Sequence, residues 1–213
     1  MIKRLIFDVD DTLIAWKEEY WNTLEKVFKK LNIEYSKELQ NKIIMATSTY
    51  ESKYDYYNKQ AMLEHINEVT DTKFDINFLN TVFEVFGNCI PKKDEKLVHI
   101  LDYLSQKYNL VILTNWFEDA QTLRLKNFGI DKFFTKIFAS ENFKVKPSKE
   151  SFLIAMEKDL PEECIMIGDS FKKDIQGAIN AGIKAIYLNP NLPKEEKEDY
   201  VIINDITELK NIL

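Results

Sequence analysis

The chain has 213 residues, of which 45% are hydrophobic and 30% are charged, an ordinary composition for a globular protein. Its length suits one large domain, or a core domain with a smaller insert. The formal net charge of −6 argues against electrostatic binding to nucleic acid or to an anionic membrane. A small anionic substrate is compatible with this charge, because a local metal ion or lysine can override it.

Sulfur and imidazole ligands are scarce. The cysteines, Cys89 and Cys164, belong to no Cys-x-x-Cys or Cys/His cluster, and Cys164 begins an apolar run, so reduced thiols are expected. The histidines, His65 and His99, give little support for a zinc site. No apolar run approaches the roughly 20 residues of a membrane span, and the first apolar run leads into an acidic cluster rather than a signal-peptide cleavage site. These features predict a cytoplasmic protein.

The first predicted element is a buried strand that ends in carboxylates. An apolar run at residues 5–7 leads directly into the sequence DVDDT at residues 8–12. On a continuing strand, Asp8 and Asp10 face the same side, where their charges repel unless a cation or a shared proton offsets them. The pattern favours a divalent metal site or an acid/nucleophile pair. An acidic turn or helix N-cap is the alternative.

No convincing strand is predicted between about residues 16 and 86. Apolar residues recur there at steps of three and four, which is typical of amphipathic helices. The predicted helices cover residues 16–31, 37–47, 56–69 and 77–86. An insert of this kind after the first strand forms a separate helical cap, with hinges expected near residues 13–16 and 87–93.

A tyrosine-dense stretch lies inside this insert, at residues 50–57. Aromatic rings near a phosphate site could stack on a nucleobase or a sugar. The packed interface of a small helical bundle is the favoured interpretation of such a run.

From residue 94 onward, helices and strands alternate with short gaps. Strands are predicted at residues 110–113, 136–139, 164–167, 183–188 and 200–203. Helices are predicted at residues 94–107, 118–127, 148–158, 172–181 and 207–213. Gly129 and Gly182 are expected to end two of these helices. Repeated units of this length imply a mostly parallel sheet that is covered on both faces.

Polar residues stand at the ends of three predicted strands, where open α/β sheets carry their chemistry. Besides residues 8–12, Thr114-Asn115 follows the second strand, and Gly168-Asp169-Ser170 follows the fourth, with Asp174 beyond it. Lys146-Pro147 precedes a helix. These residue types could supply the nucleophile, the metal ligands, the hydroxyl and the cation of a phosphoryl-transfer site.

On these motifs the chain resembles the haloacid dehalogenase (HAD) superfamily of phosphatases and hydrolases along nearly its whole length. The resemblance implies an α/β fold with a mostly parallel Rossmann-like sheet and an inserted α-helical bundle cap. The core is expected at residues 1–15 and 88–213, and the cap at residues 16–87. The implied activity is a Mg²⁺-dependent phosphatase that acts on a small phosphomonoester, such as a nucleotide or sugar phosphate, through an aspartyl-phosphate. A phosphomutase of the same family and a non-catalytic regulatory member are the alternatives.

The resemblance also implies roles for the first motif. Asp8 matches the nucleophile, and Asp10 matches the general acid/base that protonates the leaving oxygen and later activates water. Family members that dehalogenate carbon substrates lack this second Asp, so its presence points to phosphoryl chemistry. Asp11 is expected to be a solvated or capping carboxylate, and Thr12 to position the nucleophile.

The middle motifs are expected to bind the phosphate. Thr114 resembles the family's phosphate-binding hydroxyl, assisted by the backbone amide of Asn115, although a lone Thr can equally cap a helix. Lys146 matches the family's Lys-Pro pattern, whereas the nearby Lys144 lacks the Pro. Trp116 stands where the family often has a small residue, and it could narrow the pocket or pack against the cap.

The resemblance implies a Mg²⁺ site formed by Asp8, Asp10 and Asp169, since few carboxylates plus waters suit this ion. Asp174 is expected to lie outside the direct ligands and to orient Lys146 or a metal-bound water. Gly168 is expected to let the chain turn off its strand. Apart from the small phosphate substrate, no nucleic-acid or membrane partner is expected, and the protein is expected to be a monomer or homodimer.

Overall fold

The computed structural model describes residues 1–15, 21–89 and 94–213. Within these ranges one sheet contains six strands: β1 (Arg4–Phe7), β2 (Asn109–Thr114), β3 (Lys136–Ala139), β4 (Cys164–Gly168), β5 (Lys184–Leu188) and β6 (Tyr200–Ile203). The order is β3-β2-β1-β4-β5-β6, and every neighbouring pair is parallel. The predicted α/β class with a mostly parallel sheet is confirmed.

The central strands are apolar because both faces of the sheet are covered. In β1, Leu5 and Phe7 belong to one buried cluster and Ile6 to the cluster on the opposite face, as expected when successive side chains alternate. All three side chains are fully buried, and each such burial contributes about 1.5–3 kcal/mol. This explains why the central strands read as continuous apolar runs.

The strand order reverses direction at β1, which pairs with β2 on one side and β4 on the other. In an open α/β sheet such a reversal leaves a crevice at the carboxyl ends of the strands on either side. The residues that follow β1, β2 and β4 therefore meet at one place.

The cap contains four described helices: α1 (Leu24–Lys30), α2 (Lys37–Lys53), α3 (Lys59–Thr70) and α4 (Ile76–Asn88). Three of them begin at an N-cap whose side chain accepts a backbone N–H, namely Ser36, Asn58 and Asp75. The helix predicted at residues 37–47 continues to Lys53. The predicted hinges at residues 13–16 and 87–93 lie partly outside the described residues, as do residues 16–20 of the first predicted helix. The cap boundaries therefore stay a prediction.

The core helices are α5 (Glu95–Ser105), α6 (Glu118–Phe128), α7 (Lys149–Met156), α8 (Gln176–Asn180) and α9 (Leu209–Ile212). Gly129 ends α6 with a φ of 79° and Gly182 has a φ of 85°, both in the left-handed region. The helix predicted at residues 172–181 begins instead as a π-helical turn, Phe171–Ile175, before α8. None of the described helices has the length and hydrophobicity needed to span a membrane.

The tyrosine-dense stretch is largely a packing interface, as predicted. Tyr50 is fully buried; its ring stacks on Tyr54 at 4.6 Å between centroids and contacts Tyr57 at 5.2 Å. The Tyr57 ring also meets the core residue Phe117 edge-on at 5.3 Å. Tyr56 is exposed.

Cap and core share one hydrophobic cluster. Phe117 and Ala120, from the start of α6, are buried together with cap side chains such as Phe83. Two backbone hydrogen bonds also join the halves: Tyr57 N donates to Ser140 O at 2.7 Å, and Val145 N donates to Asp55 O at 2.8 Å. The cap is therefore packed against the helix that follows β2.

Candidate active site

Asp8 lies directly beyond β1 and is 7% exposed. One carboxylate oxygen accepts a hydrogen bond from Lys146 Nζ at 2.6 Å. The Thr12 hydroxyl donates to the other oxygen at 3.5 Å and reaches Asp169 Oδ1 at 3.4 Å. Asp11, between them in the turn, is exposed and has a φ of 60°, a conformation that Asp tolerates better than most residues.

Lys146 is 2% exposed and is shared between two carboxylates. Its Nζ lies 2.6 Å from Asp8 Oδ1 and 2.6 Å from Asp174 Oδ1. The Asn115 side chain holds the lysine backbone from both sides, accepting from Lys146 N at 2.7 Å and donating to Lys146 O at 3.0 Å. Lys144, by contrast, is half-exposed and faces Asp55 of the cap at 3.5 Å.

Asp174 is 1% exposed and also accepts from Ser170 N at 3.0 Å. It packs so closely on the end of β4 that a Cβ at Gly168 would collide with its carboxylate. Gly168 is therefore required by this close approach, and not by the turn that the sequence suggested. Asp174 forms an ion pair with Lys146, and its expected role in orienting that lysine stays a prediction.

Negative charge exceeds positive charge in this cluster. Side-chain oxygens of Asp8, Asp169 and Asp174 lie within 4.8 Å of one another, and Lys146 is shared by two of them. Burial raises the pKa of Asp8 to about 8: Lys146 opposes this rise, and the charges of Asp174 and Asp10 add to it. Burial, followed by the charges of Asp174 and Asp11, raises the pKa of Asp169 to about 6.

The pKa of Lys146 is also raised, which for a lysine favours the charged form. Burial by itself lowers the pKa of Lys146, but the charges of Asp174 and Asp8 outweigh burial and raise it, so the ammonium form is retained. Three converging carboxylates and one ammonium leave a surplus of negative charge. This all-oxygen donor set fits a hard divalent cation such as Mg²⁺.

The cluster differs from the predicted ligand set in one member. Among the described residues it contains Asp174 where the sequence suggested Asp10. The Asp10 carboxylate is held elsewhere: Arg124 Nη1 donates to Oδ1, and Gln121 Nε2 donates to Oδ2 at 2.9 Å. The role of Asp10 as a metal ligand stays a prediction.

Gln121 and Arg124 were missed by the sequence reasoning. A signal was present, because the buried stripe of α6 consists of Ala120, Gln121, Arg124, Leu125 and Phe128. An amide and a guanidinium on the inward face of a helix need partners there. The sequence alone does not identify those partners.

Thr114 is fully buried at the end of β2 and does not line the cavities described below. Its Oγ1 accepts from Gln121 Nε2 at 2.9 Å, so the hydroxyl keeps its own hydrogen for another acceptor. The backbone carbonyl of Thr114 accepts from the Ser140 hydroxyl at 3.1 Å.

Two adjoining cavities open at the strand ends. An inner cavity of about 200 Å³ is lined by Asp8, Lys146, Asp169, Ser170 and Asp174 and by residues that it shares with its neighbour. An outer cavity of about 320 Å³ lies toward the cap and is lined by Trp21, Ile44, Thr47, Ser48, Tyr57 and Trp116. Asp10, Glu51, Asn115 and Lys173 line both, and so mark the junction between them.

An ion pair between cap and core lies at this junction. Lys173 Nζ, from the π-helical turn, is 2.6 Å from Glu51 Oε2, from α2. Glu51 also accepts from the Tyr57 hydroxyl at 2.8 Å, and burial followed by the Glu51 charge raises the pKa of Tyr57. Trp116 both lines the outer cavity and packs against Tyr57 and Phe83 of the cap.

Comparison with known proteins identifies the family. The profile of the haloacid dehalogenase-like hydrolases matches residues 5–188. The chain belongs to this family. It is 29% identical to the glyceraldehyde 3-phosphate phosphatase of Methanothermobacter thermautotrophicus, over 100% of both chains. It is 25% identical to the pyrimidine 5'-nucleotidase YjjG of Escherichia coli, over 98% of this chain and 96% of that one. The recognised family and the hydrolase class are thereby confirmed.

Solved structures share the fold. The HAD-hydrolase YfnB of Bacillus subtilis, solved with magnesium bound, superimposes with a TM-score of 0.77 at 23% identity, covering 100% of this chain and 98% of that one. The L-2-haloacid dehalogenase of Xanthobacter autotrophicus gives 0.73 at 16% identity, with the same coverage. These likenesses support the core-and-cap architecture of this HAD hydrolase.

Proposed function

We propose that this HAD hydrolase is a Mg²⁺-dependent phosphatase that removes the phosphate from a small phosphomonoester through an aspartyl-phosphate on Asp8. The observation that carries the proposal is the buried Asp8 carboxylate at the wall of a small cavity, 2.6 Å from a lysine ammonium. The phosphatase activities named for relatives that align along the whole chain support it.

In the first step, an Asp8 oxygen attacks phosphorus and the bond from phosphorus to the leaving oxygen breaks. Lys146 attracts the phosphoryl oxygens, where negative charge builds up in the transition state. Asp10 lines the junction of the two cavities. A phosphate in the inner cavity and a leaving group in the outer one put the bridging oxygen at that junction, within reach of a proton from Asp10.

In the second step, the aspartyl-phosphate is hydrolysed. Asp10, which has given up its proton, accepts one from a water molecule as that water attacks phosphorus. The phosphorus–Asp8 bond breaks, inorganic phosphate leaves, and both carboxyl groups return to their starting states. One residue serves as acid and then as base because the leaving group departs, and the water attacks, on the same side of phosphorus, at this junction.

Mg²⁺ would be held by Asp8 and Asp169, with Asp174 close by. When bound, it supplies positive charge that offsets both the carboxylate repulsion and the charge of the phosphoryl group. The surplus negative charge and the raised pKa values of Asp8 and Asp169 support this assignment. Thr12, in contact with both carboxylates, keeps them side by side.

The substrate is a small metabolite. Cavities of about 200 and 320 Å³ under a packed cap accept a phosphate with a modest organic group and exclude a folded phosphoprotein. The named substrates of relatives range from a triose phosphate to pyrimidine nucleotides. A phosphomutase remains the competing activity, because it uses the same core residues.

The test is hydrolysis of p-nitrophenyl phosphate with and without Mg²⁺, followed by a panel of sugar, triose and nucleotide phosphates. We expect Mg²⁺-dependent turnover, and a phosphorylated Asp8 peptide after acid quenching and mass spectrometry. Release of inorganic phosphate distinguishes the phosphatase from a mutase, which returns a phosphorylated isomer. Absence of turnover across the panel, with the fold intact, would indicate a binding protein instead.

A further inference from the structure

Two polar side chains of α6 are buried behind the site. Gln121 is 0% exposed and Arg124 is 1% exposed, although both are long and one carries a charge. Burial of such groups is costly unless their hydrogen bonds are made. Their position on the inward stripe of α6 therefore requires acceptors inside the core.

The acceptors belong to the catalytic motifs. Gln121 Nε2 donates to Asp10 Oδ2 and to Thr114 Oγ1, each at 2.9 Å. Arg124 Nη1 donates to Asp10 Oδ1 and to Gln121 Oε1, the latter at 2.6 Å. Both oxygens of Asp10 are thus held by one turn of one helix, and the same amide reaches the hydroxyl at the end of β2.

The network contacts Asp10 on its buried side, next to α6, and leaves the side that faces the cavities accessible. The Asp10 side chain is 29% exposed while that of Arg124 is 1% exposed. Asp10 also lines both cavities, whereas neither α6 residue lines either of them. The α6 residues therefore do not reach the substrate, and any effect they have on the reaction passes through Asp10 and Thr114.

We propose that Gln121 and Arg124 are positioning residues that hold the Asp10 carboxylate beside the leaving-group oxygen and align it with the Thr114 hydroxyl. The inference rests on the proposed phosphatase function. A carboxylate on a loop could otherwise rotate toward water. Two donors from a rigid helix remove that freedom, which is how orientation contributes to rate.

The experiment compares leaving groups. We expect Arg124→Met and Gln121→Met to lower kcat on a poor leaving group, glycerol phosphate, by about 100-fold. On p-nitrophenyl phosphate, whose leaving group needs no proton, the loss is expected to be within about tenfold, with KM little changed. Arg124→Lys is expected to restore part of the glycerol phosphate activity. Lys126→Met, on the exposed side of α6, is the matched control.

A double-mutant cycle separates positioning from stability. If Arg124 acts through Asp10, the Asp10→Asn/Arg124→Met double variant is no slower than Asp10→Asn alone. Equal losses on both leaving groups, or additive losses in the cycle, would show a purely structural role and overturn the inference. Circular dichroism and thermal unfolding are recorded for each variant. Should Arg124→Met fail to fold, Gln121→Met, which removes no charge, decides the outcome.

The same measurements separate this inference from the proposed function. If the wild type is active and the α6 variants lose equal activity on both leaving groups, only the positioning role is overturned. If the wild type hydrolyses neither phosphate, both the positioning role and the proposed phosphatase function are overturned.

Discussion

The core and the cap contribute different kinds of surface to the cavities. The core side is charged and internally bonded, since Lys146 bridges two aspartates and α6 holds Asp10. The cap side is mixed: it presents the apolar or aromatic side chains of Trp21, Ile44 and Tyr57, the hydroxyls of Thr47 and Ser48, and the carboxylate of Glu51 at the junction. Fixed charges suit chemistry, whereas a wall that combines apolar surface with a few polar groups suits the selection of a leaving group.

This difference leads us to expect that core substitutions change kcat and cap substitutions change which substrate is preferred. The two kinds of effect are not fully separate, because cap and core share the hydrophobic cluster around Phe117. Because α4 packs on α6, a disturbance of the cap can reach the helix that holds Asp10.

The largest effect is expected for Asp8→Asn. The amide is nearly isosteric but a poor nucleophile, so turnover should fall on the order of 10⁴-fold or more. Lys146 keeps its bond to Asp174 in this variant, so the fold should persist. Steady-state kinetics with circular dichroism check both expectations. Substantial residual activity in a clean preparation would contradict the covalent route.

Lys146→Met is expected to cost about 10²–10³-fold in kcat, because the charge facing the phosphoryl group is lost. It should also lower the free energy of unfolding by about 3–5 kcal/mol, since two buried carboxylates lose their shared partner. Lys144→Met, two residues away and half-exposed, is the matched control. Similar losses in both variants would mean that the chosen lysine is wrong.

Substitutions in the ion pair between Glu51 and Lys173 test the contact between cap and core at the junction of the two cavities. Glu51→Gln and Lys173→Met are each expected to change kcat/KM by up to about fivefold, the range of a partly exposed pair. The ratio of kcat/KM between two natural phosphomonoesters should change by a larger factor than the rate on p-nitrophenyl phosphate. Additive effects in the double variant would show that the pair is not coupled in solution.

The smallest effect is a pH-dependent stabilisation by Mg²⁺. The pKa of Asp8 is raised to about 8 and that of Asp169 to about 6, both from an ordinary 3.8. The folded, metal-free protein therefore binds more protons than the unfolded chain. The stability from these groups is complete below about pH 4 and is lost as the pH rises through 6 and 8.

A cation that binds the ionised carboxylates stabilises the fold more where no protons compete with it. Mg²⁺ should therefore raise the midpoint temperature of thermal unfolding by several degrees at about pH 8.5, and by less at about pH 5. An equal increase at both pH values would exclude these carboxylates as the binding groups. The Asp169→Asn variant, measured in parallel, should lose most of the increase.

The sheet was predictable because its strands are buried on both faces. Strands β3 and β6 were located to the residue, and β2 and β4 to within one residue at each end. Helix ends were less well predicted where capping residues decide them. The helix predicted from residue 56 begins only at Lys59, after the N-cap Asn58. The π-helical turn at Phe171–Ile175, which carries Asp174 against Gly168, has no signature in the hydrophobic period.

The sequence by itself determined which residues stand at the strand ends. Short-range patterns place Asp8 and Asp10 after one apolar run and Asp169 after another, and parallel pairing makes those ends neighbours. Only the tertiary structure decided how the charges are paired. Arg124 meets Asp10 across 114 residues of chain, and Lys146 reaches Asp8 across 138. Such pairings depend on side-chain directions in the folded core, which a local sequence pattern does not encode.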